Sequence, residues 1–386
     1  MAAVSDTDPA SYPAGLPVEL NSHVIRLALP SRYSPLTYRE RRNTLRSFSL
    51  VSKAFHAISQ PWLFEEAKLE SEHEIESFLD EVTCTKSGWL VKLLDLRVRD
   101  EASLPVYEMP RFVVTQLGRL CPNLVELWVE GAPEATEIYM ADLERLRKLE
   151  RLTVDYLILT APKPFSLPVL QELSLRNCTT DSEHTPWTVR NFPMLKHLHF
   201  ELLLTFAPPV LFSSSLFRHV ETLSYIPTFS DRHGELISDD DLSKVILLEG
   251  FAGTWSLKKV IPFAWLRRAH HLRLQYYCCI VMEDYTSWAS DPSESDKVCA
   301  KLEQVASLLS GGGSPRLRSL YLPTLLQSSS LVLPAICLST DWLLGACKEH
   351  KVEVLYELPV HFLLDSLISH EFWRRVVAER AEGERE

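Results

Sequence analysis

Hydrophobic residues follow two different patterns along this 386-residue chain. Near the N-terminus they recur every three or four residues, which is the spacing of an amphipathic helix. From Leu93 onward they recur as short Leu-x-x-Leu-x-apolar segments, in which alternate residues point to the same side of an extended strand. The patterns predict a helical N-terminal region followed by a longer region of short strands.

The first helical run begins at Pro17, which suits the first turn of a helix because the N–H that it lacks would be unpaired there. Its helix-spaced apolar residues are Val18, Leu20, Val24, Ile25 and Leu27. Pro30 ends the run, since proline cannot continue a helix. A polar, basic insert, Ser31 to Asn43, separates this run from the next one.

A second helical run follows the insert, with a break near Ser52 and an end at Pro61. Its apolar positions are Leu45, Phe48, Leu50, Val51, Phe55 and Ile58, and Trp62, Leu63 and Phe64 follow as an apolar anchor. A unit of about fifty residues is only marginally stable alone. It carries more apolar surface than it can bury, which predicts a partner or packing on the next domain.

The strand-like segments recur at a nearly constant interval. Successive second leucines, Leu127, Leu152, Leu173, Leu198 and Leu223, are separated by 25, 21, 25 and 25 residues. Leu272 and then Leu320 follow at 49 and 48 residues, close to two steps each. Such a period is typical of leucine-rich repeats, in which stacked units share one core. Evenly spaced strands of an ordinary α/β protein remain the alternative interpretation.

Several local patterns refine this repeat region. Proline-containing turns precede Leu124, Leu170 and Leu195, where proline ends a return segment and feeds an extended strand. Helical spacing from Asp296 to Leu309 predicts a return helix. The polar segment 230–243 and the glycine-rich segment 310–315 predict an exposed loop and a turn. Apolar spacing over 360–380 predicts a helical cap on the open end of the stack.

Composition narrows the class of protein. Apolar residues make up 46% of the chain and charged residues 24%, as in soluble globular proteins. The net charge of −11 argues against a general nucleic-acid binder, and no apolar run is long enough to span a membrane. Eight cysteines are scattered without a C-x-x-C pair, which favours free thiols in the cytosol or nucleus. Residues 1–13 lack the features of a signal peptide and predict a disordered leader.

No catalytic motif stands out in the sequence. Residues between the repeated leucines line one polar face of mixed charge, which suits a protein partner, and the expected anchors are an exposed Trp128, Arg151 and Arg176. His197 and His199 alternate with Glu201, so they lie on one strand face and could hold a metal. The favoured interpretation is that both histidines belong to the same substrate-binding face. A hydrolase that uses His197 or His199 is a further hypothesis, beside the two binding functions described below.

The N-terminal motifs resemble an F-box. The residues that carry the resemblance are Leu16-Pro17-Val18-Glu19-Leu20, Ser49-Leu50-Val51-Ser52-Lys53-Ala54-Phe55 and Leu63-Phe64, and the chain as a whole resembles the leucine-rich class of F-box proteins. The resemblance implies docking to the Skp-type adaptor of a cullin–RING ubiquitin ligase. It places that contact on Leu16, Pro17, Leu20, Ile25, Leu50, Val51 and Lys53.

The expected fold is α/β, with an F-box-like helical module, an irregular leucine-rich-repeat solenoid and a C-terminal helical cap. The expected domains are a leader (1–13), the module (14–66), the solenoid (67–359), capping helices (360–380) and a charged tail (381–386). The expected function is that of a non-catalytic substrate receptor, cytoplasmic or nuclear, without cofactor, metal, nucleic acid or membrane. The alternative is an interaction scaffold whose degenerate F-box lies outside any ligase.

Overall fold

The chain divides into two compact units, Met1–Glu66 with Ser366–Glu386, and Ala67–Asp365. A computed structural model describes residues 17–29, 35–97, 109–131, 137–176, 178–180, 186–201, 211–226, 247–251, 271–273, 292–313, 316–327 and 332–357. The predictions for Leu16, the leader, the loop 230–243, the capping helices and the tail lie outside these residues.

Three helices make up the described part of the first unit: α1 (Val18–Ala28), α2 (Pro35–Val51) and α3 (Lys53–Glu65). The predicted break near Ser52 is confirmed, because Ser52 is extended and its hydroxyl accepts the N–H of Phe55 as an N-cap. The predicted end at Pro61 is wrong, since α3 continues to Glu65. Pro61 is exposed, and because proline has no N–H it leaves one carbonyl of the preceding turn without its helical donor.

Packing in the helical unit uses few buried side chains. Ile25 and Leu45 are buried, and the rings of Phe48 and Phe55 stack with centroids 5.5 Å apart. The guanidinium of Arg26 lies 5.7 Å from the centroid of the Trp62 ring, a cation–π contact. These contacts join all three helices, and they use only part of the apolar surface of the unit.

The second unit is built on a parallel sheet. Its eleven strands are β1 (Glu66–Leu69), β2 (Leu93–Arg97), β3 (Glu126–Glu130), β5 (Arg151–Asp155), β7 (Glu172–Arg176), β9 (His197–Glu201), β10 (Thr222–Ile226), β11 (Leu247–Phe251), β12 (His271–Arg273), β13 (Ser319–Pro323) and β14 (Glu353–Glu357). They lie in chain order, and each neighbouring pair from β2 to β14 is parallel. The predicted α/β class is therefore confirmed.

The repeated leucines lie in one register across the sheet. Leu94, Leu127, Leu152, Leu173, Leu198 and Leu223 are direct neighbours on successive strands, and all are buried. Five strands, β3, β5, β7, β9 and β10, begin in the same way, because the carbonyl of the residue just before the preceding strand accepts two consecutive N–H groups. The Lys92 carbonyl accepts those of Val125 and Glu126, and the pattern recurs at four further strand starts.

Short elements connect the strands of the repeat region. They are α4 (Glu72–Thr85), α5 (Met109–Leu120), α6 (Met140–Leu143), α7 (Ser214–Phe217) and a small parallel sheet of β4 (Glu137–Tyr139), β6 (Ile158–Thr160) and β8 (Thr179–Thr180). The predicted proline turns are confirmed: the N–H groups of Leu124, Leu170 and Leu195 each donate to the carbonyl three residues earlier. Each turn thus delivers a leucine into the core just before its strand begins.

Two longer helices, α8 (Pro292–Ser310) and α9 (Pro334–Glu349), accompany the last strands. The predicted return helix is confirmed as part of α8. The spacing of Leu272 and Leu320 covers one strand step rather than two, because β12 pairs directly with β13 and α8 occupies the intervening chain. Leu272, Leu320 and Val354 form another row in register, in which Leu272 and Leu320 belong to a second buried cluster and Val354 packs against it.

Candidate functional site

Helix α1 presents two different faces. At 3.6 residues per turn, Leu20, Val24 and Leu27 fall on one side, and Asn21 and Ile25 fall on the other. The structure buries Asn21 and Ile25 and leaves all three apolar residues of the first side exposed. We call Leu20, Val24 and Leu27 the α1 stripe. It is an apolar surface that the described helices do not cover.

The corner between α2 and α3 is a second exposed apolar feature. Leu50 is 86% exposed and Val51 is 66% exposed, and both belong to the last turn of α2. Lys53, the first residue of α3, is also exposed. The Ser52 cap fixes the turn between the two helices, so the corner is held by a hydrogen bond rather than by packing of its apolar side chains. We call Leu50 and Val51 the α2–α3 corner.

Not every residue of the predicted docking set is accessible. Pro17 is the N-cap rather than the first residue of α1, and it is exposed together with Leu20. Ile25 is 0% exposed, so the structure leaves this residue of the predicted docking set inaccessible from solvent. The large apolar residues that are exposed in the described part of the helical unit are Val18, the α1 stripe and the α2–α3 corner.

The polar sheet face, made of the residues between the inward leucines, is less open than the sequence predicts. Trp128 is 6% exposed, so the expectation of an exposed tryptophan is wrong. Its indole Nε1 donates to the Glu126 carboxylate at 3.0 Å, and Glu126 is itself buried. Alternation along a strand decides which side a residue points to, but it does not decide what covers that side.

Arg151 completes a network with these two residues. It lies beside Glu126 on the next strand, with its Nε 2.8 Å and one Nη 2.7 Å from the same carboxylate oxygen. The carboxylate thus accepts from one indole and one guanidinium, which compensates the desolvation of a buried charge. Arg151 is therefore engaged in a structural network, and about a quarter of its side chain, 27%, reaches solvent.

A second charged pair lies further along the same face. Arg176 is buried beside Asp155 on the neighbouring strand, with an Nη atom 3.7 Å from a carboxylate oxygen. Two buried ionic groups in adjacent strands are costly unless they are paired. The structure thus places both predicted arginine anchors within charge networks of the sheet.

The two histidines lie on β9, but they have different surroundings. His197 is partly exposed, and its Nδ1 lies 2.7 Å from the hydroxyl of Thr222 on β10. His199 is buried between Ser174 and Ser224 in register. Within the described residues, no group of three His, Cys, Asp or Glu side chains is arranged to hold a metal ion.

The described cysteines are free thiols: Cys84, Cys121, Cys178, Cys299, Cys337 and Cys347. Burial raises the pKa of the Cys121 thiol to about 12 and that of Cys347 to about 11. Burial also raises the pKa of Cys178, to which the nearby Asp155 carboxylate adds. A thiol with a raised pKa carries little thiolate at neutral pH and is a poor nucleophile.

Comparison with known proteins identifies no relative of this chain. No protein-family model matches the chain, and a comparison with the curated proteins finds no match. No helix in the described part of the chain is long and apolar enough to cross a bilayer.

Proposed function

We propose that this protein is a non-catalytic substrate receptor of a Skp–cullin–F-box type ubiquitin ligase. In this proposal the helical unit docks the Skp-type adaptor, and the stacked strands form a leucine-rich-repeat solenoid that holds a substrate protein. The receptor contributes by raising the effective concentration of the substrate near the ubiquitin-carrying enzyme. The proposal joins the F-box resemblance of the N-terminal motifs to the surfaces of the two units.

The observation that carries the proposal is the apolar surface of the helical unit. The α1 stripe and the α2–α3 corner consist of five large aliphatic side chains that remain accessible. Exposed apolar clusters of this kind are typical of protein-binding surfaces, because burial in a partner removes them from water. Leu50, Val51 and Lys53 belong to the second F-box-like motif, so the resemblance and the exposure favour the same residues.

The solenoid part of the proposal is supported by the order of the sheet. Strands in chain order, all parallel from β2 onward, are the arrangement that stacked repeats produce. The common leucine register and the repeated start of each strand give these repeats one shared core. The spacing of 21 to 25 residues between register leucines falls in the range of leucine-rich repeats.

Capture of a purified Skp-type adaptor by the full-length protein tests the proposal. Changing Leu50→Lys and Val51→Lys removes the corner and adds cations at a helix C-terminus, where they are tolerated. We expect adaptor affinity to fall at least about tenfold, because burial of each aliphatic side chain contributes about 1.5 to 3 kcal/mol. Circular dichroism of both proteins checks that the variant keeps its fold.

The matched control changes an apolar pair elsewhere. Leu338 and Trp342 lie on α9 and are also exposed, so Leu338→Lys with Trp342→Lys makes the same kind of change in the second unit. The control should retain adaptor binding. Equal capture by the corner variant and the wild type, or no capture by the wild type, contradicts the proposal. Capture of the adaptor without cullin favours the scaffold alternative instead.

A further inference from the structure

The parallel sheet brings six equivalent chain segments to one edge. Parallel strands all begin at the same edge of their sheet. The seven residues before each of β2, β3, β5, β7, β9 and β10 therefore lie side by side: residues 86–92, 119–125, 144–150, 165–171, 190–196 and 215–221. We call this surface the strand-start edge. It is distinct from the polar sheet face, which the strands themselves form.

Hydrogen bonds connect neighbouring segments of this edge. The Asn123 side chain donates to the Trp89 carbonyl at 2.7 Å and accepts from the Lys148 ammonium at 2.7 Å. Further along, the Nε2 of His219 lies 3.0 Å from the Pro193 carbonyl. The segments are therefore held beside one another as a continuous surface rather than as separate loops.

The strand-start edge is basic although the protein is acidic. The whole chain has 40 basic and 51 acidic residues. The six segments hold nine basic residues against three acidic ones, Glu144, Glu150 and Glu221. All nine basic residues are exposed: Lys86, Lys92, Arg119, Arg145, Arg147, Lys148, Arg190, Lys196 and Arg218. Charge is thus reversed locally, and the positive side chains face solvent.

Exposed apolar side chains are interspersed among these cations. Trp89, Val169 and Met194 lie within the turns of the strand-start edge, and all three are exposed, Met194 by 51%. Val169 and Met194 occupy the same place in successive turns, directly after proline. Neighbouring strands are about 4.8 Å apart, so these two residues are close enough to contact a single ligand.

We propose that the strand-start edge binds an acidic polypeptide segment that also carries apolar side chains. Charge complementarity selects the acidic groups, and Trp89, Val169 and Met194 receive the apolar ones. Six strands span about 24 Å at their usual spacing, which matches about seven residues of extended chain. A nucleic acid fits less well, because Val169 and Met194, in the fourth and fifth of the six segments, would face phosphates and the chain as a whole has a net charge of −11. The proposal does not rest on the ubiquitin-ligase role.

Fluorescence anisotropy of the full-length protein with labelled peptides tests this proposal. The probe is a twelve-residue peptide of Glu-Glu-Leu repeats, compared with Glu-Glu-Ser and Lys-Lys-Leu peptides of the same length and with a single-stranded RNA. We expect the Glu-Glu-Leu peptide to bind most tightly and its affinity to fall as salt is raised, because exposed charges are screened. The Lys-Lys-Leu peptide should not bind.

The decisive variant reverses Arg147, Arg190 and Lys196 to glutamate, three exposed cations of the edge. Its control reverses Arg42, Arg46 and Lys53, which are exposed residues of the helical unit and lie outside the segments before the strands, so both variants change the net charge equally. The edge variant should bind the Glu-Glu-Leu peptide at least about tenfold more weakly, and the control should bind within about twofold of the wild type.

A second variant isolates the apolar contribution. Val169→Ser with Met194→Ser should weaken the Glu-Glu-Leu peptide several-fold and leave the weaker Glu-Glu-Ser peptide unchanged. Equal losses in the edge variant and the charge control overturn the proposal, because binding would then follow net charge alone. Tighter binding of the RNA than of either acidic peptide, abolished by the edge variant, overturns it in favour of a nucleic-acid surface.

Discussion

The helical unit and the sheet unit treat their side chains in opposite ways. The helical unit leaves aliphatic residues in water, with Leu50 and Val51 at its corner and the α1 stripe beside them. The sheet unit buries charged residues, with Glu126, Asp155 and Arg176 withdrawn from solvent on the polar sheet face. Exposed apolar groups gain free energy when a partner removes them from water. Paired buried charges already have their hydrogen-bond and ionic partners within the protein.

This contrast separates the residues that we propose bind a partner from the residues that stabilise the fold. Substitution at the α2–α3 corner should change association with little effect on stability. Substitution in the Glu126–Arg151 network should change stability first, and any loss of substrate binding would follow from it. A binding experiment on the polar sheet face therefore needs a stability measurement beside it.

The largest expected effect on stability is the difference between two single leucine-to-alanine substitutions, one in each unit. Leu173→Ala removes a buried register leucine and should lower the free energy of unfolding by about 3 kcal/mol, through lost burial and a residual cavity. Leu50→Ala should change it by less than about 0.5 kcal/mol, since Leu50 is already in water. Urea unfolding followed by circular dichroism measures both. Similar losses would remove the contrast between the two units.

A smaller effect is expected from the charge network. Arg151→Met leaves the buried Glu126 carboxylate with the Trp128 indole but without its cation, which should cost about 2 kcal/mol. Adding Glu126→Gln should recover most of this loss, because the uncompensated charge disappears. The control is Lys68→Met, which removes a more exposed ion pair with Glu70 and should cost under about 1 kcal/mol. No recovery in the double variant would count against the network.

The smallest effect per residue is an alkaline loss of stability in the sheet unit, about 1.4 kcal/mol for each buried thiol between pH 9 and pH 10. The helical segment 1–66 contains no cysteine, whereas Cys121, Cys178 and Cys347 are buried in the second unit. Burial raises the pKa of Cys121 from 9.0 to about 12 and that of Cys347 to about 11. Above pH 9 the unfolded chain therefore loses thiol protons that the folded chain keeps, and folding is disfavoured.

Each such thiol should lower stability by about 1.4 kcal/mol per pH unit above 9, until its folded pKa is reached. The window closes near pH 11 for Cys347 and near pH 12 for Cys121. Urea midpoints at pH 8, 9 and 10 measure the slope, and Cys121→Ala should make that slope shallower. An unchanged slope in this variant would refute a contribution from Cys121.

Much of the sheet could be predicted from the sequence, because the sequence signals that specify its strands are local and recur from one strand to the next. The register leucines recur at a fixed place in each unit, and the proline turns before Leu124, Leu170 and Leu195 mark the strand starts. Strand β11 has no such turn within the described residues. Helix α9 carries apolar residues on more than one face. Neither β11 nor α9 therefore shows the hydrophobic periodicity from which the other strands and helices could be predicted.

The candidate surfaces were predictable only in part. Helical spacing identifies both Leu20 and Ile25 as apolar positions of the same helix. Only the packing of the three helices decides which of the two faces water. Trp128 occupies an outward position of its strand, yet the fold covers it. Exposure of the strand-start edge depends on strands in parallel order bringing six distant segments together, which no single segment encodes.

The shared start of β3, β5, β7, β9 and β10 has a consequence for changes in chain length. Because two consecutive N–H groups at each of these strand starts bond to one carbonyl just before the preceding strand, the register of the five strands is set within a few residues of their starts. Residues added further along a return segment leave that anchor untouched, which accounts for steps of 21 and 25 residues in the same sheet. Insertions in the connections are therefore compatible with the sheet. One residue inserted between Cys121 and Glu126, in contrast, would move every side chain of β3 to the opposite face of the sheet.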